Sequence, residues 1–300
     1  MILDLLFAIF TQFLPFFPLA IGISTSYTLL RATDLSLDGS FVLGAVVFAR
    51  LISLGISPVV ASIVALLGGA IVGSFVSFIQ KGGRVDPLLA GVLVVFILTS
   101  LNLILLGKPN VSLLNAHTLF SSAFQKSLLS GWSLVFFVTF IITLFSFIML
   151  HSRFGLLLRA LGDNAQVMTR MGYPVEIIRT AGFSFTNLLA SASGIITAQI
   201  YGYADIGMGL GVTLTGICTI LIGQQFVKFF LSGAKQIQYR NATDFISCLC
   251  GVFLYFTAVN VLLRFDMNPV YLKMVLGLTL IVFLRSFSQK KTPSSIGATA

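Results

Sequence analysis

Two carboxylates four residues apart, Asp34 and Asp38, stand among Thr33, Ser36, Gly39 and Ser40 at the entrance to an apolar run. Carboxylates in or beside a membrane are costly and face a cavity or a partner, or take the orphan N–H groups of a helix start. Two readings stay open. Asp34 or Asp38 caps a helix at the cytoplasmic surface with Arg31 as salt partner, or Asp34, Ser36, Asp38, Gly39 and Ser40 line a path through a membrane, from the N-terminal end of a broken helix. Other constellations are poorer. His117 and His151 are far apart, and Cys218, Cys248 and Cys250 lack the spacing and companion ligands of a metal site. No nucleophile, base and orienting group cluster together, no GxxxxGK[ST] phosphate loop occurs, and the expectation is a chain with no catalytic residues and no metal.

The other chemically dense stretch is HSRFGLLLRALGDNAQVMTRMGYPVEIIRTAGF, residues 151 to 183. It carries Arg153, Arg159, Arg170, Arg179 and the only Glu of the chain, Glu176. Asp163 followed by Gln166 has the form of a capping box, so a short helix is expected from Asp163 to about Met171, stopped by Gly172 with Pro174 beyond. Such a helix is about 12 Å long and too short to stand alone. Ala165, Met168 and Met171 recur on one side, with Gln166 and Arg170 on another. A Met stripe suits an adaptable contact with a partner's groove, or packs on the ends of the chain's own spans.

The elements that position these residues follow from composition. Apolar residues make up 57% of the chain and charged residues 9%, against about 25% charged in soluble domains. The class is therefore a polytopic membrane protein, an all-α helical bundle. About 20 apolar residues cross a bilayer, and nine spans fit: 5 to 30, 39 to 54, 57 to 79, 87 to 107, 133 to 151, 180 to 201, 209 to 227, 244 to 263 and 269 to 285. Re-reading residues 1 to 54 gives eight or ten. With the loop 152 to 179 inside, 13 of 18 basic residues fall on the cytoplasmic face, leaving Arg50, Lys108, Lys126, Arg264 and Lys273 outside. That distribution explains the net charge of +9 by topology and leaves no basic patch for nucleic acid. Residues 1 to 285 form one transmembrane domain, the N-terminus is retained as a span, and the tail 286 to 300 is expected to be disordered. A short echo, TDLSLDGSFVLGA at 33 to 45 and ADIGMGLGVTLTG at 204 to 216, falls on opposite faces, as a weak inverted repeat requires. It points to a central path between the spans that begin near Gly39 and near Gly209.

RALGDNAQVMTRMGYPVEIIRTAGFSFTNLLASASGIITAQIYG resembles the cytoplasmic coupling loop and following span of permease subunits of bacterial ATP-binding cassette importers, in the branched-chain amino acid and ribose group. The group's pattern is approximately RAxGxNxxxAxxxGI. Arg159, Ala160, Gly162, Asn164 and Gly172 match it, while Met168 or Thr169 stands for the small residue and Tyr173 for the aliphatic one. RATDLSLDGSFVLGAVVFA and GLGVTLTGICTILIG are similar to the group's early and late Gly-rich segments, so the resemblance covers about residues 31 to 227. The wording TDLSLDGSF is most similar to permeases for tryptophan and tyrosine.

The resemblance implies a translocation subunit in the bacterial cytoplasmic membrane. It implies two permease chains around one path, a separate ATPase that binds ATP and Mg, and an external substrate-binding protein. Residues 163 to 171 would then seat in the ATPase, with Arg159, Gly162, Asp163, Asn164, Gln166, Met168, Arg170 and Gly172 as coupling residues, and this chain itself binds no cofactor. Asp34, Ser36, Asp38, Gly39, Ser40, Gly209 and Gly211 are the candidates for the substrate path. The rival is an ion-coupled secondary transporter working without an ATPase, with Asp34, Asp38 or Asp205 carrying the ion.

Overall fold

The computed structural model describes residues 2–83, 85–114, 116–230 and 240–265, together with Tyr271, Met274 and Gly277. The first helix, α1 (Ile2–Ser24), widens into a π turn (Thr25–Leu29) before an irregular stretch to residue 35. There follow α2 (Ser36–Ser53), α3 (Pro58–Ile79) and α4 (Pro87–Leu106). A short strand β1 (Asn110–Ser112) and a surface helix α5 (Leu119–Lys126) lead to α6 (Leu128–His151). Two short helices, α7 (Arg153–Asp163) and α8 (Ala165–Arg170), precede α9 (Val175–Tyr201), and strand β2 (Tyr203–Asp205) and a 3-10 turn (Ile206–Gly209) precede α10 (Val212–Phe230). The last described helix is α11 (Arg240–Arg264).

Among the described residues, seven helices are long and apolar enough to cross a membrane. They correspond to seven of the nine expected spans. The sixth expected span, at 180 to 201, is the greater part of α9, which has 27 residues but is too rich in small and polar side chains to count with the seven. The reason is its position: α9 is walled by α1, α2 and α3 and buries Thr186, Asn187, Ser191 and Ser193 in protein rather than lipid. The ninth expected span and the tail 286 to 300 lie outside the described residues, so a count of nine is not established. The fifth begins five residues earlier than expected because Ser127 caps it, accepting from the Leu129 N–H at 3.3 Å.

The small-residue runs work as close contacts. The backbone of α3 meets α9 at Gly73, where a Cβ would strike the Phe183 carbonyl, and α9 meets α2 at Gly194, against the Phe41 carbonyl. One departure from an all-helical bundle is a two-stranded antiparallel ladder, Asn110 opposite Asp205 and Ser112 opposite Tyr203, which ties the outer end of α4 to that of α9.

The two echo segments are geometrically alike. Asp34 accepts the Ser36 N–H at 2.9 Å just before α2, and Asp205 accepts the Gly207 N–H at 2.7 Å at the start of the 3-10 turn that precedes α10. The starts of α2 and α10 also meet, because Asp38 accepts the N–H groups of Gly211 at 3.0 Å and Thr213 at 2.6 Å. From that point α10 runs toward the cytoplasmic loop, where Gln224 meets Thr28, while α2 runs to the turn at residues 54 to 57. The halves α1–α3 and α9–α11 therefore repeat one plan in opposite directions.

Candidate functional site

The central site is built on Asn187. It lies 12 residues into the 27 of α9 and 14 from its end, about 18 and 21 Å from the two ends at 1.5 Å per residue, which is near the middle of the helix. Its Nδ2 donates to Asp34 Oδ2 at 3.1 Å and to the Phe183 carbonyl at 3.0 Å, and its Oδ1 accepts from Ser40 Oγ at 2.6 Å. Ser36 Oγ donates to Asp34 Oδ1 at 2.6 Å. Asp34, Ser36, Ser40 and Asn187 are all buried, with no cation among them. Three donors, the Ser36 N–H, the Ser36 hydroxyl and the Asn187 amide, hold the Asp34 side chain in place of water.

These bonds sort the sequence-predicted path residues. Asp34 and Asp38 both accept backbone N–H groups at helix starts. Asp34 serves the start of α2, and Asp38 serves the start of α10. Arg31 is not their partner: it pairs with Asp163 at 2.5 Å. Gly209 packs on the Asp38 carbonyl, and the Gly39 carbonyl accepts from Asn102 Nδ2 at 3.3 Å. Gly211 lies in the wall of an outer cavity of about 460 Å³. Asp205 is separate from this node, at the strand pair, with Asn110 Nδ2 at 3.2 Å. Among the described residues no group of three or more His, Cys, Asp or Glu side chains could hold a metal ion.

The cytoplasmic loop differs from expectation in three respects. The cap of the short helix is Asn164, whose Oδ1 accepts the Val167 N–H at 3.1 Å, and not Asp163. Asp163 still belongs to α7 and turns to Arg31, and with the start moved on by one residue Gln166 falls at the second helical position, too early for a capping box. Second, Met168 is buried among Leu29, Leu158, Leu161 and Phe183 of the same chain. The stripe is therefore divided: Met168 and Ala165 pack inward, while Val167 and Met171 are 41% and 69% exposed. Third, Arg159 points inward to Asp244 at the start of α11, with side chains 14% and 21% exposed. The stop is as expected, with Gly172 in the left-handed region at φ 80°. Gly162 serves a close approach, since a Cβ there would overlap the Leu29 carbonyl.

Asn187 and Asp244 escaped sequence reasoning. A lone amide within the span 180 to 201 and an acid at the start of the span 244 to 263, on the face that carries Arg159, were the available signals.

The family model described as the permease component of branched-chain amino acid transport systems matches residues 5–284. The chain belongs to that family. It is a permease of the ATP-binding cassette type and a multi-pass protein of the inner membrane. An uncharacterized protein of Rickettsia prowazekii is 38% identical over 290 residues, covering 96% of this chain and 99% of its own length. The tyrosine transport system permease protein of Clostridioides difficile is 30% identical over 293 residues, covering 96% and 95%. The ribose import permease protein of Escherichia coli K12 is 28% identical over 215 residues, covering 68% and 64%. No solved structure matches the chain.

Proposed function

We propose that this permease carries an amino acid into the cell, driven by a separate ATPase that docks on α7 and α8 and supplied by an external binding protein. ATP and Mg reside on the ATPase, and two copies of the permease, each a single domain over residues 1 to 285, enclose one path. The observation that carries the docking part is the apolar surface of the loop. Val167, Met171, Tyr173 and Ile177 are 41%, 69%, 48% and 69% exposed beside the exposed Arg170, while Leu158, Leu161 and Met168 are buried on the permease itself. An apolar knob on a basic cytoplasmic face suits a groove in a partner better than it suits water. Gly162 and Asn164 fix the entry to that knob and Gly172 its exit, so Met168 and Arg159 act from within rather than at the contact. The amino-acid part is supported by likeness to the tyrosine permease over nearly the whole of both chains.

An ion-coupled carrier would use a carboxylate free to exchange its ligand. Asp34, Asp38 and Asp205 each hold backbone N–H groups, which supports the ATPase-driven reading instead.

The test is co-purification with ATPase subunits, followed by uptake into proteoliposomes. A complex that forms with the wild type and is lost with Met171→Glu, at unchanged permease yield, bears the reading out. An equally stable complex with Met171→Glu and Arg170→Glu would overturn it.

A further inference from the structure

The outer cavity of about 460 Å³ lies between α1, α9, α11 and the segment from residue 207 to 215. Its size falls within the range of about 300 to 1,000 Å³ usual for small-molecule sites. Its walls are unusual for this chain. Six of its fifteen lining residues are aromatic, Phe16, Phe41, Tyr201, Tyr203, Tyr255 and Phe256, against 12% aromatic residues overall. None of the described lining residues is charged. The rings are held by one another: Phe16 and Tyr255 each meet Phe256 edge to face with centroids 5.2 Å apart, and Tyr201 and Tyr203 stack at 6.2 Å.

Location adds direction. Tyr201 ends the helix that starts at the cytoplasmic loop, so the cavity lies toward the opposite, outer face. Its inner wall is Gly211, Val212 and Thr215, the first turn of α10, and Gly211 is bonded to Asp38. A solute in the cavity would stand directly outside the junction where the two inverted halves meet. Its ring would find faces and edges of fixed aromatic partners, and its amino and carboxylate groups would have only hydroxyls, amides and the start of α10 beside them.

We propose that this cavity is a binding site for the aromatic side chain of an amino acid on its way inward. The proposal rests on the amino-acid reading above and adds the class of side chain. The chemistry is discriminating, because a planar ring gains ring-to-ring contact that a branched aliphatic chain of similar area does not.

The test has two arms. In the first, saturation-transfer NMR measures L-tyrosine and L-leucine against the permease in phosphatidylethanolamine–phosphatidylglycerol nanodiscs. In the second, ATP-driven uptake of both amino acids is measured after reconstitution with the ATPase and binding protein. Tyr255→Leu removes a ring while keeping an apolar side chain, Phe256→Ala opens the wall, and Leu210→Trp fills the mouth from a side chain that is 72% exposed. Binding and uptake of tyrosine should fall about tenfold relative to leucine in the first two variants, as expected for the loss of one or two aromatic contacts, while Leu210→Trp should lower both amino acids. Tyrosine and leucine signals that are equal in the wild type, or that fall in parallel in Tyr255→Leu and Phe256→Ala, would overturn the cavity proposal and leave the importer reading standing. Ring-selective binding without ATP-driven uptake would instead overturn the importer reading and leave the cavity assignment intact.

Discussion

The Arg159 guanidinium is hydrogen-bonded and ion-paired to the Asp244 carboxylate across 85 residues of chain, fixing α7 to the foot of α11. On the other side of the loop, Arg31 pairs with Asp163 and fixes the end of α7 to the stretch that leads into α2. The loop proposed to meet the ATPase is thus tied by one ion pair to each inverted half. The two ties differ in strength, because Arg31 and Asp163 are 55% and 44% exposed and water screens them, while Arg159 and Asp244 are mostly shielded.

Removing one member of the shielded pair leaves a charge without its partner in a partly dry site. Asp244→Ala and Arg159→Ala should each lower solute-stimulated ATP hydrolysis of the reconstituted complex about tenfold while complex yield is kept. The exchange Arg159→Asp with Asp244→Arg should recover part of that loss. Stimulation that is untouched in both single variants, measured as the ratio with and without loaded binding protein, would show that the tie carries nothing.

Two glycines of the loop should respond very differently to alanine. At Gly172 only the left-handed backbone resists, with open space around the Cβ, so the cost is about 1 kcal/mol. At Gly162 the new methyl would meet the Leu29 carbonyl, and about 2 kcal/mol or more of stability should go with the contact between the π turn and α7. Thermal unfolding in detergent, read as the order of the two midpoints, decides the matter.

The two methionines of the loop separate packing from docking. Met168→Ala should lower the unfolding midpoint, since truncating a buried Met costs about 2 to 5 kcal/mol. Met171→Ala should leave the midpoint unchanged and weaken the ATPase complex. Midpoints and complex yields measured on the same preparations would contradict this division if the two variants behaved alike.

At the centre, Asn187→Leu strips Asp34 of a donor and Ser40 of an acceptor, and should destabilise the fold by about 2 to 4 kcal/mol. Asp34→Asn keeps an acceptor for Ser36 and should be milder than Asp34→Ala. The ranking can be read from SDS-induced unfolding, and equal losses for the two Asp34 variants would refute the role assigned to the cap.

Much of this was legible in the sequence because it is local or periodic. Apolar runs placed the spans, and Gly172 and Pro174 placed the end of α8. What escaped was long-range or a choice between neighbours. Asp163 and Asn164 are equally able caps by type, and only the length of α7 decides between them. The burial of Met168 depends on the approach of Leu29 and Phe183, from elements far away in sequence. The bond between Asp34 and Asn187 spans 153 residues, and no spacing rule connects a carboxylate with an amide across that distance.

That same span of 153 residues sets an order of events during biosynthesis. When α2 leaves the ribosome, the amide that will hold Asp34 and Ser40 has not been made, nor has the segment of Gly211 and Thr213 that will take Asp38. The 18-residue α2 must enter the bilayer with its own Asp38, and Asp34 just ahead of it, lacking their distant partners, and its centre closes only after α9 and then α10 have followed. Nascent chains halted before residue 187 should therefore hold their first spans less firmly than the finished protein does.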